Sequence, residues 1–122
     1  MYADTDFLLG LIKDDDWLKK AAEKAYKEHS NEIWVSGDTL TELLMISYKE
    51  GWNCKEVLAN VEDLLEIEEG VEDIFQASVM IEEKGLTPMD AIHVVKSGEE
   101  KIMTSDQEIG EHSERLELEE MQ

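Results

Sequence analysis

Two short β-like runs lie on either side of an amphipathic stretch, and that alternation restricts the fold more than any other feature of the chain. MYADT opens the sequence, EIWVS follows at 32–36, and DDDWLKKAAEKAYKEH lies between them. The three aspartates suit a helix N-terminus, whose partial positive charge favours carboxylates. The pattern is strand, helix, strand. After Gly37, DTLTELLMISYKEGW places apolar residues at Leu40, Leu43, Leu44 and Ile46, which predicts a helix capped by Asp38 or Thr39 and closed at Gly51. NCKEVLANVEDLLEIEEG repeats the helical period, and VEDIFQASVMIEEKG gives a further helix closed by Gly85. TPMDAIHVVKSG follows as another helix, with Thr87 as cap and Pro88 in the first turn. KIMTSD and RLEL then read as strands. Strands alternating with helices imply an α/β fold with a mostly parallel sheet covered on both faces.

A chain of 122 residues, 42% of them hydrophobic, suffices for one compact domain with a core, and is too short for two. No apolar run approaches the roughly 20 residues of a membrane-spanning helix, and the N-terminus lacks a signal-peptide layout, so a cytoplasmic protein is expected. The single cysteine, Cys54, permits neither an internal disulfide nor a cysteine zinc site. A formal charge of −20 excludes a broad basic surface for gripping nucleic acid. The main cationic cluster is on the helix at 17–29, where Lys20, Lys24 and Lys27 recur at helical spacing, either as a solvated face or as a contact for an RNA backbone. The three tryptophans and six methionines read as core and edge packing.

Four acidic residues fall at a strand's carboxyl end or a helix's amino end: Asp4, Glu42, Asp90 and Asp106. Carboxylates gathered in one crevice raise each other's pKa unless a cation compensates. Oxygen-only ligation suits Mg²⁺ or Mn²⁺, and such a site does phosphoryl chemistry. Asp6, one residue beyond the Asp4–Thr5 pair, adds a fifth carboxylate, suited to capping the next helix or supporting the site.

In these motifs the sequence resembles the PIN-domain nucleases, and within them the VapC-type toxins of prokaryotic toxin–antitoxin modules. The resemblance runs through Asp4-Thr5-Asp6 after the first strand, Ser36 to Glu42 in SGDTLTEL, Asp90-Ala91 in TPMDAIHV, and Thr104-Ser105-Asp106 after the strand KIMTS. It covers almost the whole chain. Where family members more often carry Asn or Ser, this chain has Asp6.

The resemblance implies a three-layer α/β/α sandwich around a mostly parallel sheet of about four to five strands. It implies a metal-dependent endoribonuclease in which Asp4, Asp90 and Asp106 hold Mg²⁺ or Mn²⁺, and Glu42 holds a second ion or orients the attacking water. Thr104 and Ser105 would support Asp106, with Glu108 as an accessory. The implied partners are an RNA substrate, a cognate antitoxin protein and a second copy of the chain. Two other readings compete: a non-catalytic PIN-like domain that binds RNA or protein, and a phosphatase of the haloacid dehalogenase type, whose Asp-x-Asp motif DTD matches. The phosphatase reading is disfavoured by the short MYA before Asp4, where that family needs a strong apolar strand.

Overall fold

Capping residues decide where the strands stop. The computed structural model describes residues 1–104, 110–111 and 115–117. Strand β1 (Tyr2–Ala3) ends because Asp4 accepts a hydrogen bond from the Phe7 amide at 3.2 Å and so begins helix α1 (Thr5–Ile12). Helix α2 (Lys19–His29) and a 3-10 turn at Ser30–Glu32 lead to β2 (Trp34–Val35). There Ser36 accepts from the Thr39 amide at 3.2 Å and starts α3 (Gly37–Glu50). Helix α4 (Cys54–Leu64), β3 (Glu66–Ile67), α5 (Glu72–Lys84) and α6 (Pro88–Ser97) follow, then β4 (Ile102–Thr104) and β5 (Arg115–Glu117).

The expected three-layer sandwich with four to five strands in one sheet is overturned. Among the described residues the chain has six α-helices and a three-stranded sheet in the order β1-β2-β3, while β4 and β5 pair only with each other. Both sets are parallel, as the alternation implied. The physical reason is length. With caps at Asp4 and Ser36, the strands β1 and β2 are two residues long, too short to organise a layer, and the helices carry the core. Strand β3 falls inside a segment whose apolar period predicts helix throughout, but α4 stops at Leu64 and the backbone of Leu65 is already extended.

The helix ends agree better with the sequence. Gly51 and Gly85 close α3 and α5 in the left-handed conformation, at φ 76° and 71°, where a side chain would be strained. Pro88 sits in the first turn of α6 behind Thr87. The fully buried Leu40, Leu43 and Leu44 of α3 meet Val35, Leu58 and Leu86 in one apolar cluster. Helices α1 and α2 touch through Gly10, where a Cβ would stand only 2.9 Å from that of Ala22. The packing expected of the tryptophans holds for Trp52, which lies against the core, whereas Trp17 is 88% exposed and Trp34 40%. Among the described residues no helix is long and apolar enough to cross a membrane.

Candidate functional site

The amino ends of α1 and α3 face a common cleft of about 190 Å³, lined by Tyr2, Asp4, Thr5, Asp6, Asp38, Thr39 and Glu42. Two of the four sequence-predicted acids, Asp4 and Glu42, are therefore brought together. Asp6 lines the same cleft, and of the two roles open to it, capping and support, the capping one is taken by Asp4. Asp38 completes the set. Because Ser36 supplies the cap of α3, Asp38 is left in the first turn, one helical turn before Glu42 and on the same face.

Hydroxyl hydrogen bonds join two of the lining residues, Tyr2 and Thr39, to each other and to Ser36. The Tyr2 hydroxyl lies 2.9 Å from Ser36 Oγ and 3.0 Å from Thr39 Oγ1, and Thr39 Oγ1 donates to the Ala3 carbonyl at 3.2 Å. These bonds tie β1 to the first turn of α3. Thr5 Oγ1 is buried and has no hydrogen-bond partner in the protein, an arrangement that costs roughly 1–3 kcal/mol.

Asp90 lies half-buried in the first turn of α6 and is not among the residues lining this cleft. Asp106, Ser105 and Glu108 lie outside the described residues, as does the side chain of Thr104. Lys20, Lys24 and Lys27 are exposed on α2, whereas Lys19 is engaged by Glu23 at 3.4 Å and by the Leu11 carbonyl at 3.2 Å. Asp38, Tyr2, Thr5 and Thr39 are the site residues that sequence reasoning missed. The i, i+4 spacing of Asp38 and Glu42 was the available signal for the first.

Among the described residues, no three His, Cys, Asp or Glu side chains are grouped tightly enough to hold one ion between them. Asp4, Asp6, Asp38 and Glu42 are the carboxylates that line the cleft, and Mg²⁺ is an ion that one or two carboxylates can hold while it keeps several waters. Comparison with protein-family models, with curated proteins and with solved structures returns no match to this chain.

Proposed function

We propose that the chain is a metal-dependent endoribonuclease working at the cleft between α1 and α3, as its resemblance to the PIN-domain toxins implies. The observation that carries this reading is the gathering of Asp4, Asp6, Asp38 and Glu42 around one cleft. Like charges brought together from two separate helices have a local cost, and a divalent cation offsets it. Once bound, such an ion neutralises phosphate charge and acidifies water. Asp4 and Asp38, in the opening turns of α1 and α3, hold their negative charge against the positive ends of those helices. The Tyr2–Ser36–Thr39 bonds tie β1 to the first turn of α3 and so fix the cleft between the two helix ends. The same resemblance supports a toxin role, with a cognate antitoxin and a homodimer.

The test is incubation with defined RNA oligonucleotides, with and without Mn²⁺ and with chelator. Internal cleavage that requires the metal is expected, and Glu42→Gln should slow it at least about a hundredfold, the scale of removing one positioned acid or base. Cleavage unaffected by chelator or by Glu42→Gln overturns the assignment. A non-catalytic RNA- or protein-binding domain is the second reading, favoured by the spacing of the carboxylates, which do not close on a single ion among the described residues. Binding without cleavage in the same assay would establish it.

A further inference from the structure

Strand β2 lies between β1 and β3, so the turn from β2 into α3 has an edge strand on either side. From β1 come the Tyr2 hydroxyl, 2.9 Å from Ser36 Oγ, and the Ala3 carbonyl, which accepts from Thr39 Oγ1 at 3.2 Å. On the other side stands Glu68, directly after β3. Its backbone amide donates to the Val35 carbonyl at 2.8 Å, and its side-chain Oε2 accepts from the Gly37 amide, also at 2.8 Å. The two bonds fall on either side of Ser36. Gly37 is the first residue of α3, so its amide has no partner within the helix, and the Glu68 carboxylate both satisfies it and meets the positive end of the helix dipole. Glycine is what lets the loop come this close. A Cβ at position 37 would stand 3.1 Å from Val71 Cγ1 and 3.6 Å from Glu68 Oε2.

Glu68 does not line the carboxylate cleft, but Asp38, the residue after its partner, does. Asp38 also borders a second hollow, of about 450 Å³, which Gly37, Glu68, Glu69 and Asp73 help to line. The pose of the first turn of α3 therefore decides on which side the Asp38 carboxylate is available. We propose that Glu68 is a positioning residue of the carboxylate cleft, fixing that turn so that Asp38 and Glu42 face Asp4 and Asp6 across it. This deepens the nuclease reading and rests on its assignment of the cleft to a divalent ion. The bonds from Tyr2 and Ala3 hold the turn at one edge, and Glu68 adds a second point of attachment, about which the turn can no longer pivot. Groups that hold a ligand in place weigh nearly as much in metal affinity as the ligand itself. The charge of Glu68 only adds to the acidity around Asp38, so its use to the cleft is the bond it accepts.

The experiment titrates Mn²⁺ into the whole chain without RNA and reads the free ion by its spin resonance, in monovalent salt that screens the acidic surface. Glu68→Ala should weaken Mn²⁺ binding about tenfold, the scale on which groups supporting a metal ligand act. Glu68→Asp keeps the charge but falls a methylene short of the amide, and should weaken it likewise. Glu68→Gln can still accept from Gly37 and should retain most of the affinity. Glu69→Ala removes an equal charge from the next residue while the Gly37 bond stays, and should leave binding near that of the wild type. Glu68 is exposed, and melting temperature is the control on folding. A loss in Glu68→Ala that Glu69→Ala equals, a lowered melting temperature with unchanged Mn²⁺ binding, or a wild type that binds no Mn²⁺ overturns the proposal. Addition of RNA separates the two readings. Mn²⁺ binding that depends on Glu68 with no cleavage leaves the positioning role standing and removes the nuclease, and metal-dependent cleavage with Mn²⁺ binding indifferent to Glu68→Ala does the reverse.

Discussion

Helix α3 carries two surfaces with opposite physics. Its amino-terminal turns turn Asp38 and Glu42 toward the cleft, where charges of one sign sit near one another and near Asp4 and Asp6. Its other side sends Leu40, Leu43 and Leu44 into the core, each fully buried. On the core side the leucine side chains contribute to stability by leaving water. On the cleft side the side chains stay in water, and their mutual repulsion is tolerated because it costs only tenths of a kcal/mol per exposed pair. The difference teaches that stability and chemistry are carried by separate faces of one helix. Substitutions on the two sides should therefore behave differently.

The largest effect belongs to the core side. Leu43→Ala removes a fully buried side chain from the centre of the apolar cluster and should destabilise the chain by about 2–5 kcal/mol, from lost transfer energy and the cavity left behind. Denaturant unfolding measures it. A loss under about 1 kcal/mol would mean that the core collapses around the gap, and the contrast between the two faces would weaken.

That contrast was half legible in the sequence. The apolar spacing of α3 and its glycine stop at Gly51 depend on local chemistry, and the observed helix follows them. The acidic face was read less well, because Ser36, Asp38 and Thr39 can each cap a helix, and only the Thr39 amide bonding to Ser36 Oγ frees Asp38 for the cleft. Glu42 and Asp4 were found by their position at element ends, but whether Asp90 joins them depends on how α6 packs, which no local pattern encodes. Strand β3 escaped notice because Glu66 and Ile67 alternate over too short a span to break the helical period before them. For the same reason a two-residue strand cannot announce which of its faces is open, and the exposure of Tyr2 and Trp34 emerged only from the fold.

A smaller effect tests the core side from another direction. Cys54 is buried at the start of α4, and burial, with a further contribution from nearby Glu82, pushes its thiol from 9.0 up to about 11. The fold thus favours the neutral thiol. The resulting stability is fully present below the unfolded-state value and is lost as pH rises through the folded one, because the unfolded chain ionises first. Relative to Cys54→Ala, the native chain should lose about 1 kcal/mol between pH 8 and 10. Unfolding curves for both chains across that range isolate the thiol from titrating lysines and tyrosines. Parallel pH profiles would place the thiol in a wetter setting than the core around it.

The smallest effects lie on the cleft side and separate two electrostatic contributions there. Asp38 and Glu42 repel each other at i, i+4, a cost of about 0.2–0.5 kcal/mol. Asp38 is also in the first turn of α3, where the helix dipole returns about 0.3–1 kcal/mol, whereas Glu42 lies beyond the reach of that end. Glu42→Gln should therefore stabilise the metal-free chain by a few tenths of a kcal/mol, and Asp38→Asn should change it little or lower it slightly. Both differences should shrink as monovalent salt shortens the screening length. If Glu42→Gln instead destabilised the chain by more than about 1 kcal/mol, its carboxylate would be held by a structural partner, as seen for buried or paired acids. The cleft face of α3 would then share in stability as the core face does. A small gain in stability accompanied by loss of metal-dependent cleavage is the joint result that keeps the two faces distinct.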